Sequence, residues 1–380
     1  MANFVVSSVG LDRKRAGELI RERRLIGMLF TSPENVYYTT GAHTLPGTGN
    51  PILFALSNHL PTFSFVDGEG KVTLFVWIGA TMGIDYRDED VRTFMDRAGA
   101  EEELASFLGE RRTEASRVGI ESSCPYWALD RVEAAVGREN VVQSDDVPLR
   151  LRLTKSRKEL ELMEESAAVV ERSVSALKTS LRIGISRPEL AQEARRKMME
   201  NGATAVDHLT IAFGPSNPEV MLDETLGPDQ LVTLDLGAVV EGYVSDNRRL
   251  FYTGDRVPEG LARLHSSIVR IVDVVGGALR PGVAFSELFA LAVSQYEKEG
   301  LQPMFFHVGH SIGLQTEEAW ISADSDLKVE ENMVLNVELY APDESGVMIG
   351  DEETFLVDGV GSRRITRLPR EIGVLGNSNS

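Results

Sequence analysis

Only one cysteine, Cys124, occurs in 380 residues, so no disulfide can form within the chain. Basic residues are also scarce: 39 lysines and arginines face 58 aspartates and glutamates, a formal charge of -19. Such a surface repels nucleic acid phosphates and anionic lipid headgroups, which argues against nucleic acid and membrane partners. The longest apolar stretch worth testing, Thr73 to Ile84, is about half of the roughly 20 residues a bilayer crossing needs. The opening MANFVVSSVGLDRKR lacks the basic-then-apolar order of a secretion signal, so a cytoplasmic protein is expected. What remains, 42% hydrophobic and 26% charged, is the composition of an ordinary globular chain, and the length suits two or three domains.

The first 150 residues alternate a charged helix pattern (Asp12 to Arg24) with apolar, strand-like runs at Ile26 to Phe30, Ile52 to Leu56 and Val72 to Ile78, an α/β arrangement. TLPGTGNP (Thr44 to Pro51) reads as a surface loop, and a domain boundary is placed near residue 150. From Lys155 the apolar residues Leu160, Met163, Ala167, Val170, Val174, Leu177 and Leu181 draw one stripe along a long helix, stopped by Gly184. Ser186-Arg-Pro-Glu is a capping pattern that opens a second helix ending near Gly202. Strands follow Leu231, with further helices around Leu261 to Leu279 and Phe285 to Glu299.

Leu231 to Leu236 alternates, which sets Asp235 inside a strand. If Val239 to Gly242 turns a hairpin, Asp235 comes to lie opposite Asp246; reflection about Ser345 likewise brings Glu338 opposite Glu352. Like charges so placed are destabilising unless something compensates them, and a cation is the natural remedy. With a histidine from Gly-His-Ser-Ile-Gly (309 to 313), four carboxylates form an oxygen-rich site suited to Mn, Co, Fe or Zn. Two metals can share such a site and activate water for amide hydrolysis. In so acidic a chain a single aspartate is more often a solvated charge; the pairing sets these four apart, and it rests on alternation alone.

The order of motifs resembles the pita-bread metallopeptidase family, which includes prolidase, aminopeptidase P and methionine aminopeptidase, with the metal-free creatinase as a relative. The motifs are Leu-Asp-Leu-Gly (234 to 237), Tyr243 with Ser-Asp-Asn-Arg-Arg (245 to 249), Gly-His-Ser-Ile-Gly-Leu (309 to 314), Glu338 and Glu-Glu-Thr-Phe-Leu-Val (352 to 357). Ser-Pro-Glu-Asn-Val-Tyr-Tyr-Thr-Thr-Gly (32 to 41) is similar to the creatinase-type N-terminal signature, and Leu-Arg-Leu-Thr-Lys-Ser (151 to 156) to the start of the catalytic domain. The resemblance implies a two-domain α/β chain: a creatinase-like N-terminal α/β domain over residues 1–150 and a pita-bread (α+β) metallohydrolase domain over 151–380. It also implies a homodimer in which the N-terminal domain shapes the partner's pocket, and two divalent metal ions. Asp235 would hold one ion, His310 and Glu338 the other, with Asp246 and Glu352 bridging and Glu338 serving as acid and base. The implied activity is Xaa-Pro dipeptide hydrolysis, on a small peptide or small-molecule substrate.

Several positions depart from the family pattern. Pro218 to Asp223 lacks the usual histidine, and Gly-Leu-Gln-Thr-Glu-Glu puts Glu317 where a second pocket histidine belongs. Leu-Tyr replaces Pro-Gly after Glu338, and Gly350-Asp351 replaces Arg-Ile before Glu352. A rebuilt pocket with an acidic Glu317 would favour a cationic substrate group. His208 is a candidate substitute for the missing histidine, and His307 a pocket group assigned a catalytic role beside Glu338 and Glu317. Tyr243 and Arg249 are carried as candidate substrate contacts, Arg249 also as a structural ion partner. His43, His59 and His265 are expected at the surface or an interface. Two other readings stay open: a metal-dependent hydrolase or lyase of a non-peptide metabolite, and a catalytically silent scaffold.

Overall fold

The computed structural model describes residues 4–87, 89–111 and 116–375, so the first three residues of the opening stretch tested for a leader fall outside it. The chain divides into two compact units, Met1–Arg152 and Leu153–Ser380.

The first unit holds a six-stranded mixed sheet in the order Asp90–Phe94, Val72–Trp77, Phe63–Asp67, Gly27–Phe30, Val118–Ile120 and Val141–Gln143. Phe63–Asp67 runs antiparallel to both neighbours, and the outer pairings are parallel. Helices Arg97–Arg111 and Tyr126–Val136 turn Ala100, Leu104, Phe107 and Leu108, and Ala128, Val132 and Val136, onto this sheet, residues that share one face at helical spacing. There they meet Phe63, Phe65, Phe75 and Phe94, with Phe63 and Phe75 stacked at 4.6 Å. Buried Glu121 accepts from the backbone of Ser32 (2.9 Å) and from its hydroxyl (2.6 Å), as well as from Asn35, so a carboxylate from a neighbouring loop closes the start of helix Pro33–Thr40. The run Ile52 to Leu56 corrects expectation: Asn50 caps a short helix, Pro51–Ala55, in which proline occupies the first turn, where no donor is needed.

The second unit repeats one plan twice. Helices Arg157–Leu177 and Arg187–Glu200 precede strands Ala205–Phe213, Leu231–Val240 and Asn247–Tyr252. Helices Glu259–Ala278 and Phe285–Lys298 precede His307–Ser311, Val334–Pro342 and Met348–Val357. In each half the turn between the helices is pinned to the same later segment: Gly184 and Ile185 exchange backbone hydrogen bonds with Leu226, as Gly282 and Val283 do with Val329. The first helix starts on a reciprocal cap between Ser156 and Glu159, and Ser186 caps the second through the amide of Glu189. Helix Arg157–Leu177 packs on the Leu231–Val240 strand, and Glu259–Ala278 on Val334–Pro342 and Met348–Val357. The inner hairpins of the two halves touch through Asn247–Tyr252 and Met348–Val357, where the Thr354 hydroxyl donates to the Asp246 carbonyl at 3.2 Å. No helix among the described residues is long and apolar enough to cross a membrane.

Candidate metal centre

The carboxylates converge because Asp235, Glu338 and Glu352 ride on hairpin strands and Asp246 immediately precedes the Asn247–Tyr252 strand. Glu338 lies directly opposite Glu352, as reflection about Ser345 requires. The first hairpin is corrected by two residues: Asp235 faces Arg248, not Asp246. The turn is the two-residue Glu241-Gly242, both at positive φ (46° and 85°), so Val240 pairs with Tyr243. A shift of two keeps every side chain on its face, so Asp235 and Asp246 still point into one site while Arg248 joins them.

His310 Nε2 lies 3.6 Å from both Asp246 Oδ2 and Glu338 Oε1. Ligand atoms of Asp246, His310 and Glu352 all lie within 4.8 Å of one another, as do those of His208, Asp235 and Asp246. His208 projects from the Ala205–Phe213 strand; its Nδ1 pairs with Asp207 at 2.9 Å, and its Nε2 stands 3.3 Å from Asp235 and 3.2 Å from Asp246. Arg248 Nη2 meets Asp235 Oδ2 at 2.5 Å, and its guanidinium lies 4.3 Å from the centre of the Tyr340 ring. The Tyr340 hydroxyl donates to Glu338 Oε2, and the Asn336 amide to Glu352 Oε1.

Burial raises the Asp235 carboxyl, but Arg248 and His208 beside it prevail and hold it below the ordinary range. Glu352 is pushed well above its ordinary value by burial and then by the neighbouring Asp246, Asp235 and Glu338 carboxylates. Burial also raises Glu338, against the pull of His310. His208 is lowered by burial, yet Asp246, Asp207 and Asp235 together carry it well above the usual imidazole range. Buried oxygens Asp246 Oδ1 and Glu352 Oε2 accept no hydrogen bond. Buried carboxylates crowded together with an imidazole are the donor set a divalent cation satisfies, so the residues fit a metal on Asp246, His310, Glu338 and Glu352.

The remaining candidates separate into rim and frame. His307 Nδ1 lies 3.6 Å from Glu338 Oε1, its ring stacks on Trp320, and burial lowers its pKa, with His310 adding to the effect. Glu317 is exposed and accepts from Trp320 Nε1 at 2.6 Å, still within 4.8 Å of the His307 and Glu338 ligand atoms. The two expected substrate contacts sit in the frame instead. Tyr243 is fully buried, its hydroxyl on Glu159 at 3.0 Å, and Arg249 is sealed against Glu353 at 2.8 Å. Their side chains are committed to holding helix Arg157–Leu177 and the Met348–Val357 strand in place. His265 is buried rather than at the surface, while His43 and His59 are exposed. Sequence reading missed Asp207, Arg248, Asn336 and Tyr340. Arg248, Asn336 and Tyr340 each stand two residues from a proposed ligand, the spacing that shares a strand face.

The fold and the site together define a metallohydrolase. The family model for metallopeptidase family M24 matches residues 161–358, and that for the Creatinase/Prolidase N-terminal domain matches 13–154. The chain belongs to metallopeptidase family M24. An Xaa-Pro dipeptidase of Pyrococcus horikoshii is 26% identical over 368 residues, 94% of this chain and 97% of the relative. The uncharacterized peptidase YqhT of Bacillus subtilis is 28% identical over 359 residues, 92% and 96% of the two chains. Among solved structures, the prolidase from Pyrococcus horikoshii OT3 shares the fold with a TM-score of 0.79 at 24% identity, over 95% of this chain and 99% of that one. Dipeptidase PepE from Mycobacterium ulcerans gives 0.81 at 22% identity, over 96% and 97%.

Proposed function

We propose that the protein is a divalent-metal-dependent hydrolase that cleaves the C–N bond of a small substrate, with an Xaa-Pro dipeptide as the first candidate. The observation that carries this reading is the buried cluster of Asp246, His310 and Glu352, whose ligand atoms lie within 4.8 Å of one another and in which Glu352 Oε2 accepts no hydrogen bond, with Glu338 beside His310. A divalent ion on these residues supplies Lewis-acid polarisation of the scissile carbonyl and makes water acidic enough to react near neutral pH. Glu338 takes the proton from the attacking water on Oε1 and returns it to the leaving nitrogen, while the Tyr340 hydroxyl holds Oε2 in place. His307, stacked on Trp320 and close to Glu338 Oε1, orients the substrate on the open side of the site. Exposed Glu317, bound to Trp320, is the group that selects a cationic substrate end.

A cytoplasmic homodimer is carried forward with this proposal, on the single cysteine and the family resemblance. A second reading, hydrolysis or elimination on a non-peptide metabolite, is favoured by the absence of the two usual pocket histidines and by the aromatic ring of Tyr340 beside the ligands. Replacing Asp246 by Ala tests the common core of both. The variant loses metal binding and turnover together; full activity in it would overturn the mechanism.

A further inference from the structure

The two aspartates of the first hairpin are not equivalent. Both oxygens of Asp235 are already engaged by nitrogen: Oδ2 by Arg248 Nη2 at 2.5 Å and Oδ1 by His208 Nε2 at 3.3 Å. The same imidazole stands 3.2 Å from Asp246 Oδ1, so what sets Asp235 apart is the guanidinium on its Oδ2, while Glu352 keeps a buried Oε2 with no hydrogen-bond partner. The guanidinium is held in place from several sides. Arg248 is cross-strand to Asp235, its carbon lies over the Tyr340 ring at 4.3 Å, and its Nε stands 3.9 Å from Glu352 Oε2. Tyr340 is in turn cross-strand to Gly350, where any Cβ would collide with its ring and press on the Arg248 side chain. Arg248, Tyr340 and Gly350 therefore fit one another: glycine leaves room for the ring, and the ring supports the cation. An arginine carries its charge at every physiological pH and forms charge-assisted bonds to carboxylate, so it compensates Asp235 permanently.

We propose that Arg248 is a built-in cation standing where a second metal ion would otherwise lie, so that the chain binds one divalent ion, on Asp246, His310, Glu338 and Glu352. Asp235 is then the partner of Arg248 rather than a ligand. This deepens the metallohydrolase reading and rests on it. It makes the centre mononuclear, with a guanidinium beside the ion.

The test is metal stoichiometry on the full chain, stripped with chelator and titrated with Mn(II) by calorimetry. Elemental analysis after gel filtration and the electron spin resonance of the bound Mn(II) give independent readouts. The wild type takes up about one ion per chain and gives an uncoupled Mn(II) spectrum. Asp235→Asn still binds about one ion, and Arg248→Ala gains a second with a spin-coupled spectrum. About two ions in the wild type, or loss of the ion in Asp235→Asn, overturns this inference and leaves the metallohydrolase standing. No ion in any form overturns both. Circular dichroism identifies a variant that fails to fold, and if Arg248→Ala is that variant, the wild type and Asp235→Asn still decide the matter.

Discussion

Lys155 and Glu318 form an ion pair at 3.0 Å in which both side chains are only 1% exposed, and it clamps the turn that follows the metal-ligand candidate His310. Glu318 also accepts from the Leu314 amide at 3.2 Å and donates its own amide to the Ser311 carbonyl at 2.9 Å. Lys155→Met keeps an unbranched apolar side chain of nearly the same length and removes its charge, so the buried Glu318 carboxylate loses the ammonium at 3.0 Å. Breaking a buried pair in this way costs about 3–5 kcal/mol, because the carboxylate that stays buried loses the lysine's charge and gains no water in exchange. For a unit of this size that corresponds to a fall in Tm of roughly 6–20 °C. Urea unfolding followed by far-UV circular dichroism measures the loss. The double variant Lys155→Met/Glu318→Gln, which leaves no orphaned charge, recovers more than half of it. A single variant that costs less than about 1 kcal/mol, the worth of an exposed pair, or a double variant less stable than the single, refutes the reasoning.

Glu338→Gln, assayed at saturating metal, lowers kcat by about 10²- to 10⁴-fold, the usual worth of a positioned proton acceptor, and kinetics with unchanged kcat would remove Glu338 from that role. Glu317→Gln reduces the preference for cationic over neutral substrates in a competition assay; an unmoved ratio means that Glu317 does not read substrate charge. His265 is buried on helix Glu259–Ala278, and burial depresses its pKa below the ordinary imidazole value. Its contribution to stability is therefore complete above about pH 6.5 and is lost as the pH falls toward its folded pKa, by about 1.4 kcal/mol for each pH unit of displacement. Comparing urea midpoints at pH 8 and pH 5 for wild type and His265→Gln, the wild type loses more on acidification; equal losses would show that His265 does not titrate on unfolding.

Much of the frame was legible because it depends on local chemistry. The Ser156 and Ser186 caps announce their helices, and the apolar stripe from Leu160 to Leu177 gives the face that packs on the Asp235 strand. The second hairpin was readable because Ser345 and Gly346 mark its turn, and alternation then pairs Glu338 with Glu352. In the first hairpin the same arithmetic slipped by two, since a turn spread over Val239 to Gly242 hid the tighter Glu241-Gly242 pair. That slip concealed Arg248, whose position opposite Asp235 changes the charge balance of the site. Tyr340 and Asn336 stand on the same strand face as Glu338, two residues to either side, so their access to the site was implied by alternation but not their hydrogen bonds. Asp207 was hidden for a different reason: it reaches His208 through a side-chain bond between adjacent residues, which neither alternation nor spacing predicts. Ile52 to Leu56 misled because an apolar run of five is too short for periodicity to choose, and the Asn50 cap with Pro51 decided for helix.

The most direct test of the central claim is hydrolysis by the Mn(II)-loaded full chain of a panel of Xaa-Pro dipeptides with cationic, neutral and acidic first residues, together with non-peptide amides, read by product chromatography. The expected result is C–N cleavage of at least one class, lost on chelation, restored by Mn(II) and absent from Asp246→Ala. A chain shown to hold its metal yet cleaving no C–N bond in the panel, or one whose turnover is indifferent to chelator, would contradict it.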